Sequence, residues 1–356
     1  VAARGPLPPF ADYCRAAVAD IIGTSARVRQ RSSAPTHRQQ AGRPPRTAGI
    51  NEEVFMSIRT AQDLRDAYRK FSEAALSNPN ATLADMRVNA EGFGEMTAEP
   101  AGVVCEQVDA GGVPALMVTP HGAQTDRVIQ YTHGGGYVFC SANSHRRMAS
   151  HIAKAVGCRA LVLDYGLAPE NPHPGPVNDC VKAYRWLLGQ GLQPAHIALS
   201  GDSAGGGLAV ATLLKIRDEG LPQPAGAVPI SPWADMEGAG ETMQTRAAVD
   251  MCVQKPAIQQ LAGLFLAGQS TRDPYASPVY ADLKGLAPLY IQVGDEETLL
   301  DDSVRLAHRA LDAGVEVKLE IYPEMQHIFQ ICAGYLPQAD VAIERMAAWL
   351  KPRLGL

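Results

Sequence analysis

An α/β fold, with a mostly parallel sheet covered by helices on both faces, is predicted by three observations. Short apolar runs alternate with stretches of helical periodicity along most of the chain. Two glycine-rich turns each sit directly after such a run, at His133-Gly134-Gly135-Gly136 and at Gly201-Asp202-Ser203-Ala204-Gly205. Polar clusters close two later runs, and in open sheets of this class functional groups collect at the carboxyl ends of strands. The 356 residues allow one domain, because α/β folds of that size often do not split.

The elements follow in order. Residues 128–131 read as an apolar strand that delivers the first glycine run. Residues 160–164 form the next, ahead of a helix over 177–188. Ile197, Ala198 and Leu199 lead into Ser200-Gly201, and the helical spacing of Leu208, Ala209, Val210, Leu213 and Leu214 follows. Residues 227–230 precede a long insertion. Residues 289–293 make a buried strand ending in Gly294-Asp295-Glu296-Glu297, before a helix carrying Leu299, Leu300, Val304, Leu306 and Ala307. The last strand, 315–322, presents Pro323-Glu324-Met325-Gln326-His327 at its end.

The two glycine runs together point to acyl transfer. A G-x-S-x-G run between a strand and a helix places its serine on a strained elbow with Oγ exposed, and small neighbours let strand and helix pack closely. Ser203 is therefore the candidate nucleophile. The backbone N–H groups of Gly134, Gly135 or Gly136, with that of Ala204, are the candidate oxyanion hole. His133 is expected to hydrogen-bond within its own loop. A phosphate cradle is disfavoured, since no Gly-Lys-Ser/Thr ending follows and no G-x-G-x-x-G opens a helix. The acid and the base must come later, in that order. His327 is the base: of nine histidines it alone lies beyond the acidic loop and on a loop at a strand end, whereas His308 sits inside the intervening amphipathic helix.

These segments, with Asp164-Tyr165-Gly166-Leu167-Ala168-Pro169-Glu170, His173-Pro174 and Ser231-Pro232-Trp233, make the chain resemble the hormone-sensitive-lipase-like carboxylesterases (bacterial esterase family IV) of the α/β-hydrolase fold. The resemblance runs from about residue 110 to the C-terminus. It implies a serine esterase working through an acyl-enzyme on short- to medium-chain esters, with no cofactor or metal. The family's acid is followed by x-Leu-x-Asp, a pattern that Glu297-Thr298-Leu299-Leu300-Asp301 matches with Glu in the first place. Glu297 is accordingly the expected acid, with Asp295 as its rival and Asp301 as a helix-start residue. Asp202 is implied to pin a loop. Gly166 stands where the family usually has Arg. The resemblance also implies a helical cap, expected over about 56–80 and 236–268, while the catalytic domain spans 56–356.

Composition narrows the alternatives. A net charge of −5 leaves no electrostatic footprint for nucleic acid. Seven cysteines show no C-x-x-C pair, which argues against zinc and, with no clear secretory signal, for reduced thiols and a cytoplasmic setting. No apolar run reaches membrane-spanning length. A C-terminal strand or helix is a candidate homodimer surface, although no self-complementary patch is visible. Residues 1–55 differ in kind: Arg27, Arg29, Arg31, Arg38, Arg43 and Arg46 stand among polar residues, with no acid from Ile21 to Asn51. They are expected to be a disordered or non-native extension, with Met56 as the natural start. Beyond it, Leu64, Tyr68, Phe71 and Ala75 form one apolar stripe. Met243, Met251, Val253, Leu261, Leu264 and Phe265 either line an acyl pocket or pack the cap's own helices. Two other readings keep the same residues: a lactone, amide or carbamate hydrolase or acyl transferase on the same triad, and a non-catalytic binding member of the fold, which His327 disfavours.

Overall fold

A computed structural model of the protein describes residues 55–76, 78 and 80–356. Among the described residues, the helices α1 (Ala61–Leu76) and α2 (Leu83–Ala90) precede the sheet. A hairpin of β1 (Val103–Asp109) and β2 (Pro114–Pro120) then starts the sheet. The remaining strands are β3 (Gln124–Thr132), β4 (Cys158–Leu163), β5 (Ile197–Asp202), β6 (Gly226–Ile230), β7 (Leu289–Gly294) and β8 (Val317–Tyr322). They lie in the order β1-β2-β4-β3-β5-β6-β7-β8. β2 runs antiparallel to both neighbours, and every pair from β4 to β8 is parallel.

Helices connect the parallel strands and bury both faces. α3 (Ala142–Val156) follows β3, α4 (Gly175–Gly189) follows β4, and α5 (Ala204–Asp218) follows β5. The short α6 (Thr242–Thr245) and α7 (Lys255–Leu266) lie between β6 and β7, α8 (Leu300–Asp312) between β7 and β8, and α9 (Pro337–Arg353) closes the chain. All six residues of β5 are buried, and alternation sends Ile197 and Leu199 into one core while Ala198 enters the other. The first core takes apolar residues from α4, α5, α7 and α8. The second takes them from α1, α3 and α9. Such double burial is why the parallel strands read as continuous apolar runs.

The expected architecture is present, with three local differences. Strand ends shift, by two residues at β8, which begins at Val317 rather than 315, and by four at β3, which begins at Gln124 rather than 128. β1 and β2 were not expected from the sequence; β1 is mostly exposed, so it carries no core-facing alternation to read. Phe55, assigned to the disordered extension, is buried in the second core with Ile58, Leu64 and Tyr68. Phe55 is the one residue of that extension among the described residues, and the rest of it, residues 1–54, lies outside them. Among the described residues no helix is long and apolar enough to cross a membrane.

Candidate active site

Ser203 sits between β5 and α5 with φ 54° and ψ −121°, a backbone conformation rare for a residue with a Cβ. Three backbone hydrogen bonds hold it there. Its N–H donates to Ile230 O at 2.9 Å, and its carbonyl accepts from Trp233 N–H at 2.9 Å and Gly207 N–H at 3.1 Å. Close approach excludes side chains nearby: a Cβ on Gly205 would lie 2.0 Å from Thr132 O, and one on Gly207 would lie 2.1 Å from Trp233 O. The elbow is therefore built from its glycines and from the strand on each side.

His327 Nδ1 lies 2.8 Å from Glu297 Oε2, and both side chains are buried. The other oxygen of Glu297 accepts from Ser231 Oγ at 2.7 Å and from Gly294 N–H at 2.6 Å. A carboxylate so fixed orients the imidazole by its Nδ1 proton. Burial opposes a positive charge on His327, but the hydrogen bond and charge of Glu297, then the charges of Asp250 and Asp202, outweigh it and raise the imidazole pKa. Asp295 is engaged elsewhere, accepting the Glu324 N–H at 2.6 Å. Asp301 lies in the first turn of α8 and accepts the Thr242 N–H at 3.0 Å.

On the glycine loop, the Gly134 N–H donates to Asp202 Oδ1 at 3.2 Å. That bond ties the amide to the residue before the nucleophile and removes it from the set of free donors. The amides of Gly135, Gly136 and Ala204 meet no acceptor among the described residues. Gly135 and Gly136 have φ of 99° and 63°, and a Cβ on Gly136 would come within 2.5 Å of Leu261 Cδ1. Asp202 also accepts from Tyr131 Oη at 2.7 Å, while its Oδ2 lies 3.2 Å from His145 Nε2. Burial works against the Asp202 charge, yet His145 and Tyr131 hold its carboxyl below the usual range. His133 does bond within its loop, with Nδ1 2.7 Å from Gly134 O, and its ring stacks on Tyr165. Burial pushes its pKa down to about 3, so the imidazole is neutral and Nδ1 is the donor.

Ser203, His327, Gly135 and Gly136 border one cavity of about 150 Å³. Its other walls are largely apolar, with Phe139, Trp233, Leu261 and Leu299 among them. Of the six candidate pocket residues only Val253 and Leu261 line it; Phe265 instead stacks on Tyr137 with ring centroids 3.8 Å apart. Phe71 of α1 reaches the cavity, and so do Met86, Asn89, Ala90 and Phe93, which lie beyond the 56–80 expected to cover it. α2 has no amphipathic stripe to announce it: its sequence, LADMRVNA, buries only Met86 and Ala90.

Sequence reasoning missed the part played by Ser231, which bonds the acid and also accepts the Ile328 N–H at 3.2 Å. It also missed Tyr68, whose hydroxyl donates to His327 O at 2.6 Å. At Gly166 the Asn171 side chain occupies the space a Cβ would enter and donates to Asp179, and Glu170 is paired by Arg87 of α2. No group of three or more His, Cys, Asp or Glu among the described residues could hold a metal ion.

A parallel sheet with an elbow serine after its central strand defines an α/β hydrolase, and the family described as alpha/beta hydrolase fold matches residues 129–331. Within that fold the chain belongs to the hormone-sensitive-lipase-like esterases, and it is a carboxylic ester hydrolase. It is similar to an acetyl-hydrolase of Streptomyces hygroscopicus, 43% identical over 265 residues that cover 74% of this chain and 87% of the relative. An esterase of Acinetobacter venetianus is 33% identical over 226 residues, 63% and 75% of the two chains. The crystal structure of an esterase from the bacterial hormone-sensitive lipase family superposes with a TM-score of 0.80 at 45% identity, covering 83% of this chain and 98% of that one.

Proposed function

We propose that the protein is a serine carboxylesterase that cleaves short- to medium-chain acyl esters through an acyl-enzyme intermediate. The observation that carries this reading is the 2.8 Å contact between His327 and Glu297 beside the cavity that Ser203 also borders. His327 Nε2 takes the Ser203 proton as Oγ attacks the ester carbonyl, and Glu297 stabilises the imidazolium that forms. The oxyanion is held by the amides of Gly135, Gly136 and Ala204, with Gly134 kept as the loop's anchor. The tetrahedral intermediate collapses to acyl-Ser203, the alcohol leaves with the proton from His327, and a water activated by the same histidine releases the acid.

Substrate size follows from the walls. An apolar cavity near 150 Å³ holds about six carbons, which agrees with the acetyl-hydrolase name of one relative. The segments around α1, α2 and α7 form the cap in this reading, and the six described cysteines, all free thiols, support a reducing, cytoplasmic setting. The test is hydrolysis of p-nitrophenyl esters from two to sixteen carbons by wild type and Ser203→Ala. Activity on the short esters, declining beyond about six to eight carbons and abolished in the variant, is expected. A maximum at long chains, or activity surviving in Ser203→Ala, contradicts the reading.

A further inference from the structure

One buried carboxylate beside the site has no part in the mechanism above. Asp250 precedes α7, is 2% exposed, and has both oxygens filled by donors. Oδ1 accepts the N–H groups of Cys252 and Val253, each at 2.8 Å. Oδ2 accepts the N–H of Thr298 at 2.7 Å and stands 3.0 Å from the Thr298 hydroxyl. Cys252 and Val253 line the cavity, and Thr298 directly follows Glu297 in the chain. The carboxylate therefore joins the pocket wall to the loop that bears the acid.

Flanking bonds fasten the same segment to the histidine loop. Gln326 Oε1 accepts the Met251 N–H at 2.8 Å, and Gln326 Nε2 donates to Val249 O at 2.9 Å. Gln326 immediately precedes His327. From α1, Ser72 Oγ donates to Met251 O at 3.0 Å. Residues 249–253 are thus held from three directions, and Asp250 is the only charged side chain among them.

We propose that Asp250 is a positioning residue that fastens the pocket wall to the acid-bearing loop and gives His327 a second negative charge beside that of Glu297. This rests on His327 acting as the base. The groups that bear on the pair are Glu297 after β7, Asp202 at the end of β5, Tyr68 on α1, Cys252 in the pocket wall and Cys332 after the histidine loop. Glu297, Asp250 and Asp202 bring charge to His327, and all three favour its protonated form. Burial raises the Asp250 pKa, opposed by the charge of His327 and the three amide donors. With donors on both oxygens, the ionised form is the one the site accommodates.

The sign of the pH dependence follows. A base must be neutral to act, and the His327 pKa is raised, so kcat/KM of wild type falls as pH drops through a value above the ordinary imidazole pKa of about 6.5. The experiment is the pH profile of kcat/KM, with kcat and KM separately, for wild type, Asp250→Asn and Thr298→Val on p-nitrophenyl acetate. Asp250→Asn is expected to move the acid limb to lower pH and raise KM roughly tenfold, because Asn keeps a single acceptor oxygen and its NH2 must face either the pocket-wall amides or the Thr298 N–H, which then lose their acceptor. Thr298→Val keeps the charge, so it raises KM less and leaves the acid limb in place. An Asp250→Asn enzyme of any activity whose acid limb is unmoved overturns the proposal, since a purely structural role does not touch that limb. Should Asp250→Asn fail to fold, an unchanged KM in Thr298→Val overturns it instead. Failure of the underlying triad reading shows separately, as activity retained by Ser203→Ala.

Discussion

Two buried histidines border the same cavity, each facing a buried carboxylate, and the two pairs are built differently. His327 faces Glu297 at 2.8 Å, and His145 faces Asp202 at 3.2 Å. What separates them is the rest of each carboxylate's bonding. Glu297 spends its second oxygen on Ser231 and Gly294, groups that hold the acid itself in place. Asp202 spends its other oxygen on Tyr131 and on the Gly134 N–H, so it fixes the glycine loop. The histidines differ as well: His145 Nδ1 lies 2.9 Å from Ser144 Oγ at the start of α3, anchored in the scaffold. In the proposed mechanism a histidine and a carboxylate in contact thus serve as a base with its orienting acid, or as a brace, according to what else the carboxylate grips.

The largest effect should come from the pair at His327. Glu297→Ala is expected to lower kcat by about 10⁴-fold, as loss of the orienting acid does in such triads, while Asp295→Ala, which frees only the Glu324 amide, lowers it mildly. Steady-state kinetics of the two variants decide the matter, and the reverse ranking would make Asp295 the acid. The brace should matter less. Asp202→Asn is expected to cost about 10²-fold in kcat with KM little changed, since the donors it aligns act on the transition state. A loss as large as that of Glu297→Ala would mean that the two pairs share the proton-transfer role.

The chemistry-bearing loops were legible because each lies at the end of a buried parallel strand, where apolar runs and abrupt polar ends leave a strong signal. Ser203, His327 and Glu297 could be named from those ends and from the family resemblance. The walls of the pocket were not legible in the same way. Met86, Ala90 and Phe93 come from a short helix and turn with little periodicity, and Val253 and Leu261 look in sequence like any cap-packing aliphatic. Ser231 and Asp250 were hidden for another reason. Their roles depend on partners far along the chain, Glu297 and Thr298, and no local pattern encodes a contact that only the fold makes.

The proposed role of Ser203 as the nucleophile served by His327 and Glu297 can be read out by covalent labelling. Wild type, Ser203→Ala and Glu297→Ala would be exposed to a p-nitrophenyl phosphonate, with intact mass and peptide mapping as readouts. One adduct per chain is expected on the peptide carrying Ser203, formed far more slowly in Glu297→Ala and absent from Ser203→Ala. An adduct on Cys140 or Cys252, the two thiols that line the cavity, or equal labelling of Ser203→Ala, would contradict it.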